Sequence, residues 1–305
     1  MMEKTSLVAK ENLLTPKAGF VHSQRWAFAA LLTGNIALAF GALLVRYADT
    51  GPVATGFWRL ALAAPILLIL ARRFGQPIGG LPTKTLAMVI IGGLFFAADI
   101  AAWHVGIMMT KLANATLFGN FASVLLVVYG LIIARQMPNK QTSLAILFAF
   151  GGGALLMGQS YEASREHIIG DMLSVLAGVL YTGYVLAMQR ARSSMGSWAV
   201  LALSTIASAL PLLLFAIAMG EQVIPTDWTP LILLALTSQI VGQGLLIYAL
   251  PHFSPLVVGL TLLVQPAIAA LTGWFFFGET ISPIEIVGMI LVAAALVLVR
   301  GPEKA

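Results

Sequence analysis

Three ionisable side chains lie in stretches that otherwise belong in hydrocarbon. Asp99 and His104 fall in FFAADIAAWHVG at 95–106, and Arg59 falls in FWRLALAAP at 57–65. A carboxylate at the centre of a membrane-crossing helix costs about 2.5–3.5 kcal/mol on insertion scales. Two arrangements offset that cost. The acid can line a cavity, where its protonation couples transport to a proton gradient. It can instead pair with Arg59 as a structural ion pair, since the depths of the two residues allow it. Arginine also snorkels to the interface, so both arrangements stay open. At 3.6 residues per turn Phe95, Ala102, Trp103 and Gly106 share the Asp99 face. That face sets a carboxylate beside a large aromatic and small residues, as a cavity wall does.

Other polar groups sit at similar depth. Asn35 in TGNIA, Asn120 in FGNFA, Gln239 and Gln243 in SQIVGQG, and Gln265 are amides within apolar runs. Each must find a partner, either on a neighbouring helix or in a cavity. Tyr181 and Tyr184 in LYTGYVL lie deeper than an interfacial aromatic belt, and their rings suit an apolar substrate as well as a core. Pro266 frees the carbonyl of Leu262, which marks a possible hinge or only a kink. The candidate substrate-binding set is therefore Asp99, Trp103, His104, Asn35, Asn120, Tyr181, Tyr184, Gln243, Tyr248 and Gln265, with Arg59 as the partner of Asp99 in coupling or in an ion pair.

Several chemistries lack their residues. With no cysteine in the chain, disulfides and thiolate metal sites are excluded. His167 and His252 have no partner spacing for a metal. There is no GxxxxGK[ST] loop for ATP and no HExxH motif. Asp99 and His104, the nearest thing to an acid/base pair, lie about 140° apart on one helix. No catalytic residues, cofactor or metal are expected.

The elements that carry these residues are apolar throughout. The 305 residues are 59% hydrophobic and 10% charged, with mean hydropathy +0.94. Too few charges exist to cover a soluble surface. Ten apolar spans of roughly 17–24 residues can cross a ~30 Å core: 26–46, 53–71, 86–109, 112–134, 142–158, 170–190, 197–219, 229–250, 255–277 and 282–299. The joints between them are short, which makes successive helices antiparallel neighbours. With the N-terminus in the cytoplasm, thirteen of the 17 basic residues fall on that side, and only Arg46, Lys111 and Arg165 fall in outer segments. The same bias explains the basic pI without any nucleic-acid surface.

Spans 86–158 and 229–299 share their pattern of breaks at a shift of about 144 residues. The same shift sets Gln243 opposite Asp99 and Tyr248 opposite His104. Each half holds five helices, an odd number, so the second enters the membrane upside down. Inverted halves are a transporter design with its site at the midplane. The fold expected is an all-α integral membrane protein of ten transmembrane helices, built as two inverted five-helix repeats around a central cavity. Residues 1–25 form a cytoplasmic tail, 26–158 the first repeat, 159–169 an outer loop, 170–300 the second repeat and 301–305 a cytoplasmic tail.

FWRLALAAP at 57–65, LLVQPAIAALTGWFFFGETIS at 262–282 and IEIVGMILVAAALVLV at 284–299 resemble the drug/metabolite transporter superfamily, specifically its EamA-type ten-helix exporters. The pattern is similar to YddG-type amino-acid exporters. The first-half counterpart is degraded, with Arg135 where the second half has Glu279, and Ala122 where it has Pro266. The resemblance implies a cavity walled by helices 1, 3, 4, 6, 8 and 9, with helices 5 and 10 peripheral. The function expected is export of small organic metabolites by alternating access, with amino acids, aromatic ones included, as the first substrates. The alternatives are an intramembrane enzyme or lipid-modifying protein, or a transporter of other metabolites or drugs, and a channel is a further class that lacks a filter sequence. The partners expected are a small-molecule substrate and membrane lipids, with no nucleic acid, in a monomer or weak dimer of a bacterial-type inner membrane.

Overall fold

The structure, a computed structural model, describes residues 18–110, 112–135, 137–157, 165–277 and 281–299, with backbone alone at some helical positions. Residues 1–17 and 301–305 of the expected tails, most of the loop 159–169, Lys111, Glu279 and the Glu285 side chain lie outside the described residues. Among the described residues every regular element is helical. In chain order these are α1 (Ala18–Ala39), α2 (Gly41–Tyr47), α3 (Pro52–Arg73), α4 (Thr83–Met109), α5 (Leu112–Gly119), α6 (Phe121–Ala134), α7 (Lys140–Met157), α8 (Arg165–Ala191), α9 (Ser197–Ala218), α10 (Thr229–Leu234), a π-helical stretch (Ala235–Gly242), α11 (Gln243–Ala249), α12 (Pro255–Leu262), α13 (Val264–Phe277) and α14 (Pro283–Val299).

Local sequence explains where these helices start and stop. Pro52, Pro255 and Pro283 open α3, α12 and α14, positions where the missing N–H costs nothing. Ser254 caps α12 by accepting from the Val257 N–H. Gly75, Gly80 and Gly220, all at positive φ, turn the chain after α3, before α4 and after α9.

Among the described residues seven helical stretches are long and apolar enough to cross a membrane. The expectation was ten spans. The other three expected spans, 112–134, 142–158 and 282–299, coincide with α5–α6, α7 and α14, whose described residues form shorter apolar stretches. Large apolar side chains point outward all round, among them Ile69, Ile132, Leu210, Phe275 and Val297. That exterior fits hydrocarbon rather than water, and the chain is an integral membrane protein.

Inside, Leu60, Leu67, Phe96, Ile100, Leu126, Met188, Leu201 and Leu212 form one continuous apolar core. The main pairings are α4 with α8, α7 with α14, α3 with α9, α6 with α12, and α1 with the π stretch and α11. Backbones touch where glycine permits. A Cβ on Gly106 of α4 would lie 2.9 Å from the Gly170 carbonyl of α8, and one on Gly152 of α7 would lie 2.6 Å from that of Gly288 in α14.

One pattern occurs twice, 143 residues apart. Arg46 donates to the carbonyls of Ile107 and Thr110 at the end of α4, 61 and 64 residues ahead of it. Gln189 donates to Leu250 and Phe253 after α11, again 61 and 64 residues ahead. The interruption at Asn120 recurs at Leu263. The two ends of the α3–α9 pair are also tied reciprocally. Glu221, after α9, accepts from the Val53 and Ala54 N–H groups that open α3, at 3.2 and 2.8 Å. Gln76, after α3, accepts from the Ala199 N–H in the first turn of α9 at 3.0 Å.

Candidate functional site

A cavity of about 70 Å³ lies at the centre of the bundle. At about 10–15 Å³ per water-sized position it has room for roughly five waters, the space of a small organic molecule. The polar part of its wall comes from Arg59 of α3, Asp99 and Trp103 of α4, Thr116 and Asn120 at the α5–α6 break, Tyr181 of α8, Gln243 of α11 and Gln265 of α13. Leu38, Phe96, Ile100 and Leu262 supply apolar wall. The helices named by the family resemblance are all represented, and α3 joins them through Arg59.

Asp99 and Arg59 both face this cavity without bonding each other. Among the described residues none donates a hydrogen bond to the Asp99 carboxylate or comes within ion-pair distance of it. Arg59 is held elsewhere. Its Nε donates to Gln239 Oε1 at 3.2 Å, and its guanidinium carbon lies 5.6 Å from the Phe96 ring centre, in reach of a cation–π contact. Only one of its five N–H donors therefore has a hydrogen-bond partner among the described residues. A buried cation and anion with unmet bonding capacity on one cavity wall form a site for a ligand bearing both charges.

Amides and aromatics complete the wall. The Trp103 Nε1–H donates to the Ala115 carbonyl at 3.3 Å, and its indole lies over Gly119, where a Cβ would sit 3.0 Å from Nε1. Asn120 donates to the Thr116 carbonyl at 2.6 Å, and its own carbonyl accepts from Ser123 Oγ at 2.7 Å. These local bonds satisfy groups that the break would otherwise orphan. Gln243 donates to Tyr181 Oη at 3.3 Å, while its buried Oε1 has no partner. Gln265 donates to Asn35 Oδ1 at 3.0 Å.

Four of the residues expected at the site are placed elsewhere. Asn35 is fully buried one layer behind the wall, where it donates to the Leu31 carbonyl and orients Gln265. Tyr184 is likewise fully buried, stacked on Phe96 with ring centres 4.3 Å apart, so Phe96 screens it from the cavity. His104 turns toward α3, with Nδ1 2.9 Å from the Pro52 carbonyl, because its position on α4 lies well around from Asp99. Tyr248 lies on the outside of the bundle, 40% exposed, with its ring 5.7 Å from that of His252. Pro266 falls in the first turn of α13, and the interruption itself is at Leu263. Gln239, whose polarity was noted without a role, proves to hold Arg59, and Thr116 enters the wall without any earlier signal.

Comparisons with known proteins agree with this architecture. Residues 168–301 match the EamA-like transporter family. The chain is 21% identical over 256 residues to the pseudopaline exporter CntI of Pseudomonas aeruginosa, covering 81% of this chain and 86% of that protein. It is 28% identical over 151 residues to the threonine/homoserine exporter RhtA of Escherichia coli, covering 49% and 51%. A solved structure described only as a crystal structure of a protein shares the fold, with TM-score 0.72 and 16% identity over 89% of this chain and 95% of that one. The second half of the chain thus matches the EamA-like transporter family, and the chain is similar over most of its length to a bacterial metabolite exporter, within a helical membrane architecture.

Proposed function

We propose that this transporter exports amino acids, aromatic ones included, by alternating access about the central cavity. The observation that carries the reading is the unpaired Asp99 carboxylate and the Arg59 guanidinium on one cavity wall. An amino-acid zwitterion supplies an ammonium for the first and a carboxylate for the second, so that each buried charge gains a counter-charge. The Trp103 and Tyr181 rings accept an apolar side chain, and a cavity of about 70 Å³ suits the smaller amino acids in the conformation seen. Two relatives, exporters of threonine/homoserine and of pseudopaline, point the same way. The enzyme alternative is weakened because His104 faces away from Asp99, so no acid/base pair converges.

The proposal includes the topology: ten crossings in two inverted five-helix repeats, 26–158 and 170–300, with both termini in the cytoplasm of a bacterial-type inner membrane. Its support is the recurrence at 143 residues of the same interruption and the same cap, together with the reciprocal ties between α3 and α9. Asp99 is the group through which a proton gradient would couple. The test is flux of radiolabelled amino acids in proteoliposomes, with and without a proton gradient. Saturable flux for some of the panel is the result expected. Zero flux across a broad panel by folded protein overturns the reading.

A further inference from the structure

Gln239 does not line the cavity, yet it is the only described residue that hydrogen-bonds Arg59. It is fully buried in the π-helical stretch Ala235–Gly242. Both ends of its amide are engaged: Oε1 accepts from Arg59 Nε at 3.2 Å, and Nε2 donates to Thr205 Oγ1 at 2.9 Å. Thr205 belongs to α9 and Arg59 to α3, so one side chain fixes a guanidinium against two packed helices. Gln243, four residues on, points to Tyr181 and the cavity. A helix turn widened to π geometry re-aims side chains within one span, and such turns concentrate at functional sites.

A guanidinium is planar and its donors form a rigid fork. Holding Nε on one side, with the Phe96 ring 5.6 Å from the guanidinium carbon, therefore sets the direction of the two terminal nitrogens. Without that hold, the charge available to them on the same wall is the Asp99 carboxylate. We propose that Gln239 is a positioning residue for substrate recognition: it keeps Arg59 turned to a substrate carboxylate and away from Asp99. The inference rests on the reading of Asp99 and Arg59 as a zwitterion site.

The test uses the full chain in proteoliposomes, with L-threonine and L-phenylalanine as probes beside their methyl esters, which keep the ammonium and lose the carboxylate charge. In Gln239→Met the KM for each amino acid should rise about tenfold, with kcat and the ester unchanged. Gln239→Glu, which gives Arg59 a competing anion, should lose more. Thr205→Val should show a smaller loss of the same kind, and Thr205→Ser should behave as the parent. Because Thr205→Val leaves every direct contact of Arg59 in place, it carries the test if Gln239→Met fails to fold. Equal changes for amino acid and ester, or no change in either, overturn the proposal. Arg59→Gln separates the two levels. If it discriminates acid from ester as the parent does, or if the parent moves neither amino acid, the zwitterion reading falls and the inference with it. If Arg59→Gln loses discrimination while Gln239→Met and Thr205→Val keep it, only the role of Gln239 is overturned.

Discussion

The first half of the chain brings the charges to the cavity and the second half brings neutral groups. Arg59, Asp99 and Trp103 come from residues 26–158, whereas Tyr181, Gln243 and Gln265 come from residues 170–300. The match to the EamA-like family runs the other way, over residues 168–301. The half that carries the family match thus supplies neutral groups to the cavity wall, and the other half supplies its two charged ones. The caps repeat the contrast: the same pair of carbonyls is held by the cation Arg46 in one half and by the amide Gln189 in the other.

If the charges dominate recognition, Arg59→Gln and Asp99→Asn should each lower amino-acid flux about 10–100-fold, while Gln243→Ala or Gln265→Ala should lower it about 3–10-fold. Equal effects from the two halves would break the comparison. Since the two charges do not bond each other, the double variant Arg59→Gln with Asp99→Asn should not regain thermal stability over the singles. Recovery of stability would establish the ion pair instead. For the aromatic part of the wall, Trp103→Ala and Tyr181→Ala should each reduce phenylalanine flux about 3–10-fold, and Tyr248→Ala, on the outer face, should leave it unchanged.

Much of the site was legible because a polar group in an apolar span must meet a partner or a cavity. That argument singled out Asp99, Trp103, Asn120, Tyr181, Gln243 and Gln265, and all six stand on the wall. It gives depth along a helix but not the layer behind the wall, so Asn35 and Tyr184 carried the same signal from one shell further out. It fails for Tyr248, because a helix that is apolar all round does not reveal which face turns inward. The ten spans were counted from hydropathy, which is blind to a backbone interruption such as that at Asn120. The π turn had no sequence signal at all, and with it went the role of Gln239.

The caps offer a sharper test on stability. Arg46→Ala removes a charged donor and should cost about 1.5–3 kcal/mol, while Gln189→Ala removes a neutral one and should cost about 0.5–1.5 kcal/mol. Thermal unfolding in detergent measures both, and equal losses would mean that charge adds nothing to this cap.

The smallest effect expected is at the α2–α3 connection. Asp49 accepts hydrogen bonds from the Thr226 hydroxyl and from the Thr226 and Asp227 N–H groups. These hold its carboxyl below the ordinary carboxylate range, the hydroxyl foremost. A lowered folded value means stability that is fully present above the ordinary value and is lost as pH falls through the lowered one. Asp49→Asn should therefore be slightly less stable than the parent at neutral pH, with the gap starting to close near about pH 4 and gone below the lowered value. A gap that persists in acid would show that the carboxylate charge is not what the contact uses.

The interruptions at Asn120 and Leu263 have a mechanical consequence. A continuous helix bends as a stiff rod, whereas a rod with a break bends at its joint. Here α5 packs against α13 and α6 packs against α12, so the two joints lie at one level and divide the span pair into two tiers. Gly119, Asn120 and Leu262, at the joints, all touch the cavity. Flexure of one tier on the other changes the width of the cavity at its waist and leaves both packed tiers intact. Bending of this span pair is therefore concentrated at the depth of the cavity, at two turns rather than along whole helices.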